Sequence, residues 1–273
     1  MGVEALRGWP GALDGYTVTL EAANRSRTTV RLHRHYLTQL RRRHPFKPWG
    51  VTTHQLRELM ATPTWGPESK QSCRTVLRQF YAWGHSEQLI DVNPALALVP
   101  IVVPRTTVQQ APEYVVRHIT GHPEPRMQLM GMLGSFLGLR CCEIARVHSD
   151  DLHGAARDVL HVLGKGRRER DLPVMNLELL ARLHQLDGWA FPNKHGSHLS
   201  PAYVSTLLSR ELDAGWTAHP LRHRAAQTAY DGTKDIAAVS AMLGHSKIET
   251  TQRYVRTGQD ALRAALAVAG DVA

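Results

Sequence analysis

The sequence predicts a mainly α protein in two parts: an N-terminal helical bundle, then a mixed α+β domain with a small antiparallel sheet. Three observations carry this. Between residues 26 and 86, apolar side chains recur at helical spacing. "VPIVVPRTTVQQAP" (Val99 to Pro112) holds three prolines and no helical period, as a connector would. In "DDLHGAARDVLHVLGKGRRERDLPVM" (Asp150 to Met175) the period shortens, and "VLHVL" and "ERDLPV" are strand-like on either side of a Gly164–Gly166 turn. The expected boundaries are 1–103, a linker at 104–111, and 112–273. A chain of 273 residues with 42% hydrophobic content has room for two real cores.

The elements are read in order. The first 25 or so residues are Gly-rich and weakly patterned, and no helix is assigned to them. "SRTTVRLHRHYLTQLRRRH" is a helix with Ser26 as N-cap and Val30, Leu37 and Leu40 on one face. "TTHQLRELMA" is a second. A third starts at Pro67, a favourable first-turn residue, and its apolar side includes Val76, Leu77, Phe80, Tyr81 and Trp83. "DVNPALAL" reads as a short fourth helix. The back part opens with "PEYVVRHITG" and then "RMQLMGMLGSFLGLRCCEIARV", apolar nearly all round and so a central buried helix. After the strands, helices return at "NLELLARLHQL", "SPAYVSTLLSREL", "LRHRAAQTAY", "DIAAVSAML" and "KIETTQRYV". The last, "DALRAALAVA", carries an apolar stripe from Ala261 to Ala269, suited to its own domain or to a neighbouring copy.

Charge narrows the partner. The net charge is +9 and the pI about 9.8, which favours a polyanion. Residues 1–105 hold 14 Lys+Arg against 7 Asp+Glu, while residues 106–273 hold 19 against 17. The front part therefore has the electrostatic excess. Arg31, Arg34, Arg41, Arg42 and Arg43 decorate its first helix, either as a solvated face or as contacts to a phosphate backbone. Cys73, Cys141 and Cys142 make no disulfide framework, which fits a reducing cytoplasm. No signal-peptide pattern opens the chain, and Leu6 stands where a myristoylation motif needs Ser or Thr. The longest apolar run, Ala95 to Pro104, is too short to span a bilayer. A membrane partner is not expected.

Separate side chains in the back part form a chemical set. Arg140 sits at the end of the central helix with Glu143 one turn later. Lys165 lies at the hairpin tip, His219, Arg222 and His223 fall within "HPLRH", and His245 and Tyr254 follow. Taken singly, each has an ordinary explanation. Arg140 and Glu143 form an i,i+3 ion pair, Lys165 is an exposed turn residue, and Tyr254 packs. His219 and His223 lack the intervening Glu and the third ligand of a zinc motif. Together, two arginines, a lysine, two histidines and a tyrosine suit phosphoryl transfer without metal. Two guanidinium forks can hold both non-bridging oxygens of a phosphodiester. Such fixed donors are each worth about 10²–10³ in rate. A phenol, with a reference pKa of about 10, needs nearby cations and a base to attack.

Four stretches, "LGLRCCEIARV", "LGKGRRERDLPV", "AHPLRHRAAQTAY" and "LGHSKIETTQRYV", resemble in order the signature segments of the tyrosine site-specific recombinases, the phage integrase family. The resemblance covers most of residues 112–257. It implies that 112–273 is the catalytic domain. The front part more weakly resembles the family's helical (SAM-like) core-binding domain. Carried over, Tyr254 is the nucleophile and Arg140 and Arg222 clamp the scissile phosphate. Lys165 is the general acid for the leaving 5′-oxygen. His219 is a base or phosphate donor, and His245 a further donor. Glu143 holds its neighbours in place, and His223 is structural. All seven positions of the pattern are kept, and Leu137 stands where Thr is common. The resemblance implies double-stranded DNA as substrate, a homo-tetramer in the synaptic complex, accessory DNA-bending proteins as further partners, and no cofactor or metal. Competing readings are a type IB topoisomerase-like enzyme, a catalytically inactive DNA-binding relative, and a metal-dependent phosphoesterase.

Overall fold

The computed structural model describes residues 3–104, 109–164, 168–212 and 215–244. The chain divides into two compact units, 1–106 and 107–273.

The first unit is helical. A short 3-10 helix (Val3–Arg7) leads into α1 (Trp9–Ala22), followed by α2 (Arg27–Arg43), α3 (Thr53–Met60) and α4 (Pro67–Ser86). The weakly patterned N-terminal stretch is thus a helix. Trp9, Ala12, Leu13, Tyr16 and Leu20 form its buried stripe, and Pro10 lies in its first turn. Gly8, Gly11 and Gly15 dilute that stripe in the sequence. Ser26 caps α2 by accepting from the Thr29 N–H at 3.2 Å. The core is aromatic. Trp49 stacks on Phe80 with ring centroids 5.1 Å apart, and Tyr16 meets Phe80 edge-on at 5.3 Å. Several polar tips are satisfied: Trp9 Nε1 donates to the His44 carbonyl and Tyr81 Oη to the Pro48 carbonyl.

The expected fourth helix at "DVNPALAL" is instead a run of turns. Asn93 Oδ1 accepts from the Ala95 N–H at 2.9 Å, an Asx turn that competes with helix geometry. The carbonyls that a helix would use go to arginines. Arg78 donates to Leu96, Arg57 to Ala97, and Arg74 to Leu98 through two nitrogens.

The second unit opens with α5 (Glu113–Thr120) and α6 (Pro125–Phe136), the latter buried on nearly every side. The long central helix expected over "RMQLMGMLGSFLGLRCCEIARV" breaks after Phe136. Gly138 adopts φ +63°, the Leu139 N–H donates back to the Leu133 carbonyl at 3.1 Å, and α7 (Cys141–Ile144) starts afresh. Arg140 is therefore the N-cap of a new helix rather than the end of the old one. Three antiparallel strands follow in the order β1 (Leu152–His153), β2 (Val159–Leu163), β3 (Glu169–Pro173). Strands β2 and β3 pair with His161 opposite Asp171 and Val162 opposite Arg170. Leu160, Val162 and Leu172 enter the core while His161 and Asp171 face outward. The remaining helices among the described residues are α8 (Leu177–His184), α9 (Pro201–Glu211), α10 (Ala218–Thr233) and α11 (Ile236–Leu243). α10 packs on α6, and Ala111 at the unit's start donates to the Pro220 carbonyl at 3.1 Å. The three cysteines are free. Among the described residues no helix is long and apolar enough to cross a membrane.

A candidate phosphate-binding centre built on a buried glutamate

Glu143 is the hub of the second unit. Its side chain is fully buried. Two oxygens accept four bonds. Oε1 takes Arg140 Nη1 at 3.0 Å and Arg170 Nη1 at 3.0 Å. Oε2 takes the Arg140 backbone N–H at 2.8 Å and Arg170 Nη2 at 3.0 Å. Arg222 Nη1 stands 3.7 Å from Oε2. Burial by itself opposes ionisation of this carboxyl. The hydrogen bonds and charges of Arg170 and Arg140 outweigh it and hold the pKa below the ordinary carboxylate range.

The C-terminal end of α11 closes over the same cluster. Its last carbonyls have no partner within the helix and carry the negative end of the dipole. Arg222 Nη2 donates to the Leu243 carbonyl at 2.7 Å, Arg140 Nη1 to the same oxygen at 3.3 Å, and Arg170 Nε to the Met242 carbonyl at 2.8 Å. Arg222 also donates to the Gly138 carbonyl, so the chain reversal between α6 and α7 faces this guanidinium. Gly244 takes φ +63° as the C-cap. A Cβ there would come within 3.0 Å of Arg170 Nη1, so the turn that ends α11 needs glycine for both conformation and space.

Three guanidiniums thus face one carboxylate and a helix C-terminus, leaving an excess of positive charge. Arg222 is buried to 1% exposure, whereas the Arg140 side chain keeps 31%. Arg140 is the most open of the three. His219 lies on α10 one turn before Arg222, and its ring centroid is 4.0 Å from that of His223. Burial, and then the charges of Arg222 and Arg140, push the His219 pKa below the usual histidine value, so at neutral pH its imidazole is uncharged. An uncharged imidazole beside two fixed cations can accept a proton or donate to an anion.

Of the site residues expected from sequence, the structure brings together Arg140, Glu143, His219 and Arg222, with His223 beside them. Lys165, His245 and Tyr254 lie outside the described residues. Arg170 was missed, although it sits inside the quoted "GKGRRERDLPV". In a stretch with three other basic residues, nothing marks which one turns inward. The strand register does.

In the first unit, an open groove runs along α2, lined by Arg27, Arg31, Arg34, His35 and Arg42, with Glu21 at its edge. Of the five arginines expected to contact phosphates, Arg31, Arg34 and Arg42 line it. Arg34 is also tied to Asp14 at 3.2 Å. Arg41 is exposed away from the groove lining. Arg43 is used elsewhere, donating to the Glu58 carbonyl and to Thr62 Oγ1. Arg27, passed over in the sequence, joins the groove because positions 27, 31, 34 and 42 share one helical face.

The sequence model for the phage integrase family matches residues 110–260, more than half of the chain. The chain belongs to the phage integrase family. Among curated relatives of this integrase-family chain, tyrosine recombinase XerC of Shewanella amazonensis is 30% identical over 207 residues, 69% of this chain and 70% of the relative. Tyrosine recombinase XerC of Alcanivorax borkumensis is 32% identical over 241 residues, 76% of each. The fold is that of solved recombinases. A lambda integrase dimer bound to a COC′ core site superposes with a TM-score of 0.73 at 17% identity, covering 89% of this chain and 75% of that one. XerH bound to a palindromic difH substrate gives 0.69 at 18% identity, covering 92% and 84%.

Proposed function

We propose that this chain is a site-specific DNA recombinase that cleaves and rejoins DNA strands through a covalent 3′-phosphotyrosine, with Tyr254 as the nucleophile and no ATP. The observation that carries this reading is the convergence of Arg140, Arg222 and His219 at the end of α11. From that end the chain runs on through "HSKIETTQRYV", which holds His245 and Tyr254.

In this reading Arg140 and Arg222 bind the non-bridging oxygens of the scissile phosphate, and His219 and His245 supply further hydrogen bonds or accept the phenolic proton. Tyr254 Oη attacks phosphorus. The P–O bond to the 5′-oxygen breaks, and Lys165 protonates the leaving hydroxyl. The phosphotyrosine keeps the bond energy, so a 5′-hydroxyl from a second duplex reverses the step and exchanges strands. The solved neighbours include a lambda integrase tetramer bound to a Holliday junction. A tetramer exchanging strands through such a junction is the assembly we infer for this chain. Residues 1–103 act as the core-binding domain, with the α2 groove on the phosphate backbone, 104–111 as the linker, and 112–273 as the catalytic domain. The reducing cytoplasm is the inferred location.

The deciding experiment is covalent trapping on DNA. Tyr254→Phe is expected to bind DNA and form no adduct, and an adduct with that variant would overturn the nucleophile assignment. Lys165→Ala is expected to slow cleavage more than binding. A bridging 5′-phosphorothiolate, whose leaving group needs no proton, should restore its rate.

A further inference from the structure

The outer face of the small sheet carries a cluster outside the residues assigned to strand cleavage. His153 on β1, His161 on β2 and Asp171 on β3 point the same way: His161 pairs directly with Asp171, and His153 pairs with Val159, which shares a face of β2 with His161. Asp171 Oδ1 lies 2.8 Å from His161 Nδ1 and 3.2 Å from His153 Nε2. The three potential ligand atoms all fall within 4.8 Å of one another. An ion bound at about 2.0–2.2 Å holds neighbouring donors roughly 3–3.5 Å apart, so both measured spacings are close to what one ion requires. Two imidazoles and one carboxylate are the donor set of a borderline divalent cation, not of Mg²⁺ or Ca²⁺. All three side chains keep between 36% and 56% of their surface open, so an ion can enter and keep water in its remaining positions.

We infer that His153, His161 and Asp171 form a binding site for a divalent transition-metal ion of the Zn²⁺ or Co²⁺ type, clipping the three strands together. The site is separate from the glutamate hub, since Asp171 faces outward on β3 while its neighbour Arg170 turns inward to Glu143. Because the ligands come from three strands, an ion raises the cost of separating β1 and β3 from β2.

The test uses the full chain after chelator treatment. Zn²⁺ is titrated by calorimetry, and Co²⁺ by its visible absorption, which reports coordination. The expected result is one equivalent bound with an imidazole-containing coordination spectrum, a rise in melting temperature with Zn²⁺, and no such rise with Mg²⁺. Asp171→Asn, at an exposed position, and His161→Ala, at a half-buried one, should bind at least tenfold more weakly and lose the thermal shift. The chain holds 16 histidines, so binding that persists unchanged in the His161→Ala/Asp171→Asn double variant belongs elsewhere and overturns the inference. Absence of a one-equivalent Zn²⁺ or Co²⁺ complex in the unaltered chain overturns it as well.

Discussion

Glu143 shows how much can rest on one side chain. Removing a partner from a buried ion cluster leaves uncompensated charge, and Glu143→Ala is expected to destabilise the second unit by about 3–5 kcal/mol in chemical denaturation. Its ionised form is favoured by folding, so the contribution is present above the ordinary carboxylate range. It is lost as pH falls through the depressed folded value. Glu143→Gln should flatten that acid limb. His219 gives a second pH signature. Unfolded, it takes a proton as pH drops below its ordinary value of 6.5, while folded it resists. Stability from this residue is therefore lost on acidification below 6.5. A single-turnover cleavage profile should hold through neutrality, with its acid limb below that value. An acid limb centred above it would contradict the uncharged imidazole. Arg140, Glu143 and His219 were legible as residues because their types and spacing are distinctive. Their electrostatic states were not, since those depend on burial and on partners far away in sequence.

At the scale of elements, the break between α6 and α7 and the C-terminal end of α11 decide the site. The sequence read through Gly138 because apolar residues continue on both sides of it. What stops the helix is a left-handed residue and the carbonyl it turns toward Arg222. α11 is held by three guanidiniums, and Arg170 is the one that joins it to both β3 and Glu143. Arg170→Gln is expected to reduce covalent adduct formation by about tenfold or more, in keeping with the cost of lost fixed charge at such a centre. DNA affinity in a gel shift should change little. Arg170→Lys should recover only part of the rate, because an ammonium cannot span both carboxylate oxygens and the Met242 carbonyl. Equal loss of binding and cleavage would reassign Arg170 to general stability. The same scale explains α1. Its buried stripe is real, but glycines and the absence of a side-chain cap hide it from periodicity. "DVNPALAL" erred in the opposite direction, since good helix formers gave way to an Asx turn and to arginines that claim the carbonyls.

For the whole molecule, the charge division between the parts carries a prediction. Replacing a groove arginine, Arg31→Ala, should weaken duplex binding about uniformly across sequences and lower the magnitude of the log K against log salt slope by about 1. Arg43→Ala should leave that slope unchanged and act on stability instead, since its guanidinium is committed to the end of α3. The sequence by itself determined the mainly α class, the small sheet, and the ordered signature segments of an integrase-family chain. Residue type and short-range period carry that information along the chain. The tertiary structure alone decided which cations gather on Glu143, that Arg170 is among them, and which of the α2 arginines share a groove. It also decided that two histidines and an aspartate meet on one face of the sheet. Those outcomes depend on strand register, chain reversals and the packing of helices far apart in sequence, none of which has a local signal.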